Sequence, residues 1–391
     1  MNRTNSFWLS VFLAVVVPSS SSHAGPSNTQ AGGDTSAVVD SLLVKQLEEE
    51  MERPSETVST VSATRTVGLT NPEISAIADL RALYRTPAER HFDFEFHEAE
   101  FALKSAVDPY AKAEFYLSVA PDPIDGGAEV ELEEAFLMSL ALPAGLQVKA
   151  GQFRSTFGRM NPVHPHALPV IALPLVYTSY LGEEGLKDVG VSVNWLVPNP
   201  LDFFQELTFE FSGGPAENPS FMRADGDKFL YLGHLKNFWD LTRQATLELG
   251  FTGAAGPNEA GRTTLLGGVD VTYKWRPLRT GRYHSFLVQA EAIFSRRDEN
   301  NGRVNSWGAY VLSTYQLDQR VFLTGRFDYS NTPESSSLVE RAWSATFGWL
   351  ATEFQKLELE FRQTSSNAYS SISEVNLRSV FVIGSHGAHK Y

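Results

Sequence analysis

The sequence contains no cysteine, and this absence removes several kinds of protein at once. Disulfide frameworks, thiolate metal sites and cysteine nucleophiles all require that residue. Positive charge is also scarce, because 32 Lys and Arg residues face 46 Asp and Glu residues and leave a net charge of −14. This acidic balance disfavours nucleic acids and anionic membrane surfaces as partners.

Long hydrophobic runs are missing beyond the N-terminus. After residue 24, no apolar stretch approaches the roughly 20 residues that a membrane-spanning helix needs, and the mean hydropathy is −0.18. A helical membrane protein is therefore excluded. Aromatic residues are plentiful instead, with 26 Phe and 13 Tyr, and these residue types favour strands.

Residues 1–24 are predicted to be a secretory signal peptide. Arg3 supplies a positive start, the stretch 7–17 is apolar, and Ala24 ends a small-residue cleavage site. Residues 25–70 are interpreted as a linker with a short helix at 38–53. The apolar residues of that helix are spaced by four, so they share one face. The helix is either a solvated periplasmic spacer or a short oligomerising coiled coil.

From residue 71 onward, apolar and polar residues alternate with a period of two. In 355–362, Leu357, Leu359 and Phe361 point one way while Lys and Glu residues point the other. Segments of this kind recur, with turns between them, about sixteen times, and an even number is typical of bacterial outer-membrane barrels. The sequence therefore predicts an all-β fold, a transmembrane antiparallel β-barrel over 71–391.

The connections between these segments are predicted to alternate between tight turns and long loops. Short periplasmic turns opposite long outer loops are typical of outer-membrane barrels and are not required in a soluble sandwich. The predicted long loops are 154–186, 214–226, 254–262, 296–304, 331–339 and 365–373. The first of these, the third outer loop of the barrel, is by far the longest.

Residues 71–391 resemble the bacterial outer-membrane porin superfamily. The stretch Glu131–Phe157 is similar to the phosphate-selective type of porin, and the segments 71–75, 161–166 and 384–390 resemble a group of uncharacterised outer-membrane proteins. The resemblance implies a homotrimeric, passive diffusion channel surrounded by outer-membrane lipids, with no cofactor. A terminal aromatic residue, here Tyr391, is the usual mark for the barrel-assembly machinery. Phosphate selectivity is not implied, because a ladder of inward Arg and Lys residues is not evident.

Loop 154–186 is the predicted constriction, since the third loop of general porins folds inward; the alternative is an outer lid. Arg154 and Arg159 are expected there, either as an electrostatic gate or as anchors of the loop. The candidate pore-lining residues are Arg154, Arg159, His164, His166, Glu131, Glu133, Lys149, Glu206, Glu210, Arg326, Glu358, Glu360 and Arg362. Other residues predicted to face inward are Lys112, Glu114, Glu129, Glu248, Asp270, Lys274, Glu291, Asp328 and Arg378. Acids outnumber bases, which predicts a mild cation preference, although rows such as 356–362 could pair across strands instead.

His164 and His166 could share a metal ion, because alternate imidazoles can bind one cation. A third ligand is not evident in the sequence, so structural hydrogen bonding is favoured and no metal is expected. The predicted function is a passive porin for small hydrophilic solutes or ions, without enzymatic activity. Two alternatives stay open, namely a barrel hydrolase and a structural barrel with a closed lumen. The sequence lacks a G-x-S-x-G pattern, which disfavours the hydrolase.

Overall fold

The computed structural model describes residues 72–89, 91–122, 126–224 and 228–384. The predicted signal peptide (1–24), the linker with its helix (38–53) and the terminal Tyr391 lie outside these residues. Within the described ranges, no helix combines the length and apolar character needed to cross a bilayer.

The described residues form sixteen strands that close into one antiparallel barrel. Each strand pairs with its neighbours in sequence, and β1 pairs with β16 to close the ring. The strands are β1 (Glu73–Thr86), β2 (Phe92–Asp108), β3 (Ala111–Pro121), β4 (Ala128–Ser139), β5 (Leu146–Arg154), β6 (Lys187–Leu196), β7 (Phe204–Ser212), β8 (Leu230–Thr242), β9 (Ala245–Pro257), β10 (Thr263–Trp275), β11 (Ser285–Glu299), β12 (Gly302–Asp318), β13 (Val321–Thr332), β14 (Ser335–Thr352), β15 (Gln355–Ser366) and β16 (Ile372–Gly384). The predicted sixteen-strand barrel is thus confirmed.

The two faces of each strand differ as the period of two requires. On β15, Leu359 and Phe361 are 47% and 37% exposed on the outside, whereas Glu358 and Glu360 are buried inside. Large apolar side chains are exposed on the outer face of almost every strand, and several of them are tryptophans: Trp195, Trp307, Trp343 and Trp349. An outward apolar surface with aromatic residues near its margins is the surface that a bilayer covers.

The two ends of the barrel are named here by their connections. The loop end carries loop 155–186, and the turn end carries short turns such as 109–110, 243–244 and 353–354. The predicted alternation of loop length is wrong at 296–304 and 331–339. There the strands continue pairing to Glu299–Gly302 and Thr332–Ser335, so that short turns replace the loops. On the turn end, the connection 276–284 is longer than the other turns.

Loop 155–186 contains two short helical elements. Pro165–Ala167 forms a single 3-10 turn, and α1 (Leu175–Leu181) follows Pro174. Five of the seven residues of α1 are buried: Leu175, Val176, Tyr177, Tyr180 and Leu181. An amphipathic stretch with so much apolar surface must be covered, and its cover is the inner wall of the barrel. A second 3-10 turn, Pro143–Gly145, connects β4 to β5.

Candidate functional site

Loop 155–186 lies inside the barrel and contacts opposite walls. At its beginning, the Thr156 N–H donates to Glu210 on β7 over 3.0 Å. Farther along, Tyr177 Oη donates to Glu291 on β11 over 2.7 Å. On the opposite side, Arg378 of β16 donates to the Val170 carbonyl over 3.1 Å. These contacts place the loop across the lumen, as the constriction hypothesis expects, and do not fit an outer lid.

One face of the loop is apolar and packs on an apolar patch of the inner wall. On the loop side, Phe157, Val176 and Leu181 are fully buried in this cluster. On the wall side, the cluster includes inward residues of β8–β12: Leu230, Leu232, Ala254, Leu266, Ile293, Tyr310 and Leu312. Inner walls of water-filled barrels are usually polar. The loop therefore covers the apolar patch and keeps it buried.

The other face of the loop lies on buried charges of the wall. Arg326, Lys356 and Arg378 extend from β13, β15 and β16 to the loop carbonyls of residues 165–172. Each of these bases is also paired with a buried acid, and the nitrogen–oxygen distances are 3.0 Å to Asp328, 3.2 Å to Glu358 and 3.2 Å to Asp79. We call these six residues the sealed cluster. Their charges are paired with one another and buried, and the three bases also contact loop carbonyls, so they do not face a solute.

His164 anchors the loop between two further acids. Its Nδ1 lies 2.9 Å from Glu100 on β2, and its Nε2 lies 3.0 Å from Glu134 on β4. The ring stacks on Tyr116 with 4.6 Å between centroids. Burial lowers the pKa of His164, but the hydrogen bonds and charges of the two glutamates outweigh burial and raise it to about 9. At neutral pH, His164 is therefore an imidazolium that clamps the loop to the wall.

The arrangement around His164 depends on an irregularity in β4. The register between β3 and β4 shifts after Tyr116, so that Glu133 is an extra residue opposite that point. A bulge of this kind lets consecutive side chains face the same side, and both Glu133 and Glu134 are buried. His166 Nδ1 lies 3.5 Å from Glu100, so both histidines of the loop contact the same glutamate.

Arg154 is an anchor at the base of the loop. Its three guanidinium nitrogens contact Glu133 at 2.9 Å, the Asn161 carbonyl at 3.1 Å and the Glu184 carbonyl at 2.7 Å. Its side chain is 4% exposed. In the described part of the barrel, β4 and β5 pair only between 135–138 and 149–152. Arg154 fills the gap where the chain leaves the wall, so of the two roles expected for it, the contacts favour anchoring.

Lys187 completes the same junction. Its ammonium lies 2.6 Å from Glu131, 2.7 Å from Glu133 and 3.4 Å from Glu184. Ligand oxygens of these three carboxylates lie within 4.8 Å of one another, a spacing that a metal ion could use. Here the Lys187 ammonium supplies the balancing positive charge.

Arg159 occupies the opposite environment, in the turn 157–160 near the beginning of the loop. Its guanidinium lies 3.1 Å from Glu248 on β9 and is 45% exposed. Nearby on the wall, Lys236 pairs with Glu206 at 2.9 Å. A cavity of about 560 Å³ is lined by Lys236, Glu248 and two phenylalanines, Phe204 and Phe238. A larger cavity of about 990 Å³ adjoins it through Asp240 and reaches Lys274 and the turn end.

Half-buried or exposed charges line the lumen toward the turn end, and we call them the open lining. Its members on the strands and on the loop are Lys104, Lys112, Glu114, Lys149, Arg159, Glu206, Lys236, Asp240, Glu248 and Lys274. Lys149 lies over the ring of Phe153, 4.4 Å from its centroid, and Lys104 lies 5.1 Å from the centroid of Tyr116. The ammonium groups thus lie over the faces of aromatic rings, in the geometry of cation–π contacts.

The predicted lining residues divide between these environments. Arg159, Lys149 and Glu206 belong to the open lining, and Glu131 is 46% exposed at the loop junction. Those that the structure buries or holds beside the loop are Arg154, Glu133, His164, His166, Glu210, Arg326, Glu358 and Glu360. Arg362 is half-buried.

Several important residues escaped the sequence analysis. Glu100, Lys104 and Lys236 occupy inward positions of predicted strands, so the alternation of apolar and polar residues does indicate them. Glu134 could not be found that way, because the bulge reverses the parity at that point.

The comparisons with known proteins agree with this architecture. No family model matches the chain. An uncharacterized protein of Aquifex aeolicus (strain VF5) is 29% identical over 342 residues, which cover 76% of this chain and 70% of that protein.

Three solved structures share the fold at low sequence identity. The outer membrane channel DcaP of Acinetobacter baumannii has a TM-score of 0.56 at 11% identity, covering 80% of this chain and 97% of its own. The anion-selective porin from Comamonas acidovorans has a TM-score of 0.54 at 10% identity, covering 80% and 99%. A trimer form of OmpT, an outer membrane protein of Vibrio cholerae, has a TM-score of 0.52 at 8% identity, covering 80% and 99%. The chain therefore has the sixteen-strand barrel fold of outer-membrane porins and channels.

Proposed function

We propose that this protein is a passive diffusion channel of the outer membrane for small hydrophilic solutes or ions. The single observation that carries the proposal is the division of the lumen. The loop packs apolar side chains and paired charges against β8–β13, β15 and β16. Adjoining cavities of about 560 and 990 Å³ remain beside the turn-end parts of β7–β10. A polar lumen that a loop partly fills restricts solutes by size and charge.

We propose that the channel weakly prefers anions over cations. The cation preference expected from the sequence depended on counting inward acids. Many of those acids are buried beneath the loop or in ion pairs, as Asp328 and Glu358 are. In the open lining, six bases accompany four acids. The charges that a passing ion meets, rather than all inward charges, determine its preference.

The protein is proposed to be exported by its signal peptide, assembled by the barrel-assembly machinery and organised as a homotrimer. The trimer form of the similar OmpT barrel supports this assembly. The outward apolar surface, with Phe209 and Phe327 at least half exposed, supports contact with membrane lipids.

We propose no enzymatic activity. A hydrolase requires a nucleophile beside a base at a place that substrate reaches. His234 Nδ1 does lie 2.8 Å from the Thr252 hydroxyl, but both residues are buried. The same hydroxyl accepts the Gly158 N–H over 3.1 Å. This pair therefore supports the loop.

Conductance of the purified protein in a planar bilayer under a KCl gradient tests the proposal. We expect stepwise conductance, grouped in threes for a trimer, with a reversal potential on the anion side. Insertion without conductance would overturn the channel and favour the structural barrel. Conductance with a cation-side reversal potential would keep the channel and overturn only the proposed ion preference.

A further inference from the structure

The turn 157–160, near the beginning of the loop, is held by side chains at the backbone N–H groups of residues 158, 159 and 160. The Gly158 N–H donates to Thr252 Oγ1 on β9 over 3.1 Å. The Arg159 N–H donates to Glu291 Oε2 on β11 over 3.3 Å. The Met160 N–H donates to Tyr177 Oη over 3.0 Å. A surface loop would leave such groups to water, so this turn is fixed in one place.

Glu291 is the central support of this turn. The side chain is 2% exposed, and one carboxylate oxygen accepts from Tyr177 Oη at 2.7 Å and from Tyr310 Oη at 3.4 Å as well as from the Arg159 N–H. Two tyrosines, Tyr177 on the loop and Tyr310 on β12, therefore hold the side chain of Glu291 in the orientation in which it contacts the turn. A buried carboxylate that accepts several hydrogen bonds is rigid in its position.

Gly158 allows the turn to approach Glu291 closely. Its φ of +58° lies in the left-handed region, where a side chain adds strain. A Cβ at this position would also collide with Oε1 of Glu291. The turn can therefore contact Glu291 only because residue 158 has no side chain.

The fixed turn gives the Arg159 side chain its direction. The guanidinium reaches Glu248 at 3.1 Å and stays 45% exposed beside the cavity. Arg154, at the base of the same loop, is 4% exposed and surrounded by acceptors. Only Arg159 of this pair can act on a passing ion.

We propose that Arg159 is a selectivity-determining residue of the channel and that Glu291 is its positioning residue, acting through the backbone of the turn. This inference rests on the proposed channel function. Glu291 contributes no charge to the pathway itself, because it is buried under the turn. Glu291 affects ion preference only because it fixes the position of the Arg159 guanidinium.

Reversal potentials in a planar bilayer test this pair of roles. Replacing Arg159→Gln is expected to shift the anion-to-cation permeability ratio about twofold toward cations, since one exposed charge leaves the lining. Glu291→Ala is expected to shift the ratio in the same direction by a smaller factor. In the Arg159→Gln background, Glu291→Ala should add no further shift, because the charge that it positions is gone. Glu291→Gln, which keeps a carbonyl acceptor, is expected to retain the wild-type ratio.

A pair of glycine variants supplies a matched control that does not alter any charge. Gly158→Ala introduces the collision with Glu291 and should shift the ratio as Glu291→Ala does. Gly182→Ala places a methyl group at another left-handed position of the same loop, with φ +83°, away from Arg159. It should leave the ratio unchanged. Each variant is accepted only if it inserts and conducts, so that misfolding is separated from repositioning.

The outcomes distinguish this inference from the channel proposal. A wild-type protein that does not conduct overturns the channel. A conducting wild type whose ratio is unaffected by Arg159→Gln overturns the role of Arg159. Equal shifts from Glu291→Ala in both backgrounds would show that Glu291 does not act through Arg159 and would overturn its positioning role.

Discussion

Arg154 and Arg159 belong to one loop, yet the regions around them differ in almost every physical respect. The base of the loop joins the wall through buried ion pairs, and Arg154 is 4% exposed there. The turn 157–160 carries Arg159 to Glu248 of the open lining, and there Arg159 is 45% exposed. The same residue type therefore stabilises the barrel at one place and faces the solute pathway at the other. A charged side chain in the lumen can act on a passing ion only if it is exposed to the pathway.

The same distinction separates the sealed cluster from the open lining. In the sealed cluster, acids and bases alternate on β1, β13, β15 and β16 and are almost entirely without exposure. In the open lining, ammonium groups outnumber carboxylates and remain half-exposed. Variants of the first group should alter stability, and variants of the second should alter ion preference.

Arg378→Met is expected to have the largest effect, because it removes a base from the centre of the sealed cluster. Its Nε lies 3.2 Å from Asp79 and 3.7 Å from Glu358, and all three side chains are fully buried. Asp79 keeps Arg81 at 2.8 Å and Glu358 keeps Lys356 at 3.2 Å, but the two buried acids lose the base that they share. The cost therefore approaches the roughly 3–5 kcal/mol of the free energy of unfolding that breaking a buried pair takes. Urea unfolding of the protein folded into lipid vesicles measures this loss.

The matched control is Arg303→Met, which breaks an exposed pair. Arg303 lies 2.7 Å from Asp298, and both side chains are more than 40% exposed. Surface pairs of this kind contribute about 0–1 kcal/mol. Similar losses from the two variants would contradict the distinction between sealed and exposed charges.

His164→Gln should produce a pH-dependent loss of stability of somewhat smaller size. The pKa of His164 is raised from 6.5 to about 9, so its folded form binds a proton more tightly than its unfolded form. Its contribution to stability is therefore fully present below pH 6.5 and is lost as the pH rises through about 9. Linkage gives this contribution a size of roughly 3 kcal/mol.

The difference in free energy of unfolding between wild type and His164→Gln, measured from pH 6 to pH 10, checks this prediction. Other titrating groups occur in both proteins, so their contributions cancel in the difference. We expect the difference to decrease steadily across that interval. A constant difference would indicate that His164 binds the wall as a neutral ring and that the loop is not clamped by its charge.

The sequence predicted the barrel well because each strand carries its own signal. Alternation in a segment such as 355–362 depends only on which side faces lipid, and the strand bounds followed from it. The interior was harder to predict. Glu133 and Glu134 face the same side because of a bulge, and alternation contains no information about such a shift.

The path of the loop also had to come from three-dimensional contacts. The sequence indicated a long, proline-rich loop with apolar residues, but its apolar partners on β8–β12 are far away in sequence. Counting acids predicted a cation preference, because a count cannot separate Glu358, buried beneath the loop, from Glu248, which lines a cavity. Burial and pairing, which depend on the fold as a whole, decide which charges a solute meets.

Two lysines, one in the open lining and one in the sealed cluster, give the smallest of the expected effects on ion preference. Lys274 lines the larger cavity near the turn end and belongs to the open lining. Lys356 is 2% exposed, and its ammonium lies 3.2 Å from Glu358 beneath the loop. Under a KCl gradient, Lys274→Gln should shift the permeability ratio toward cations by about twofold or less, as expected for one screened charge. Lys356→Gln should lower the stability and leave the reversal potential of the folded channels unchanged, because no ion reaches that position. If Lys356→Gln shifts the reversal potential as much as Lys274→Gln does, ions do pass beneath the loop, and the lumen is not divided in the way that the contacts indicate.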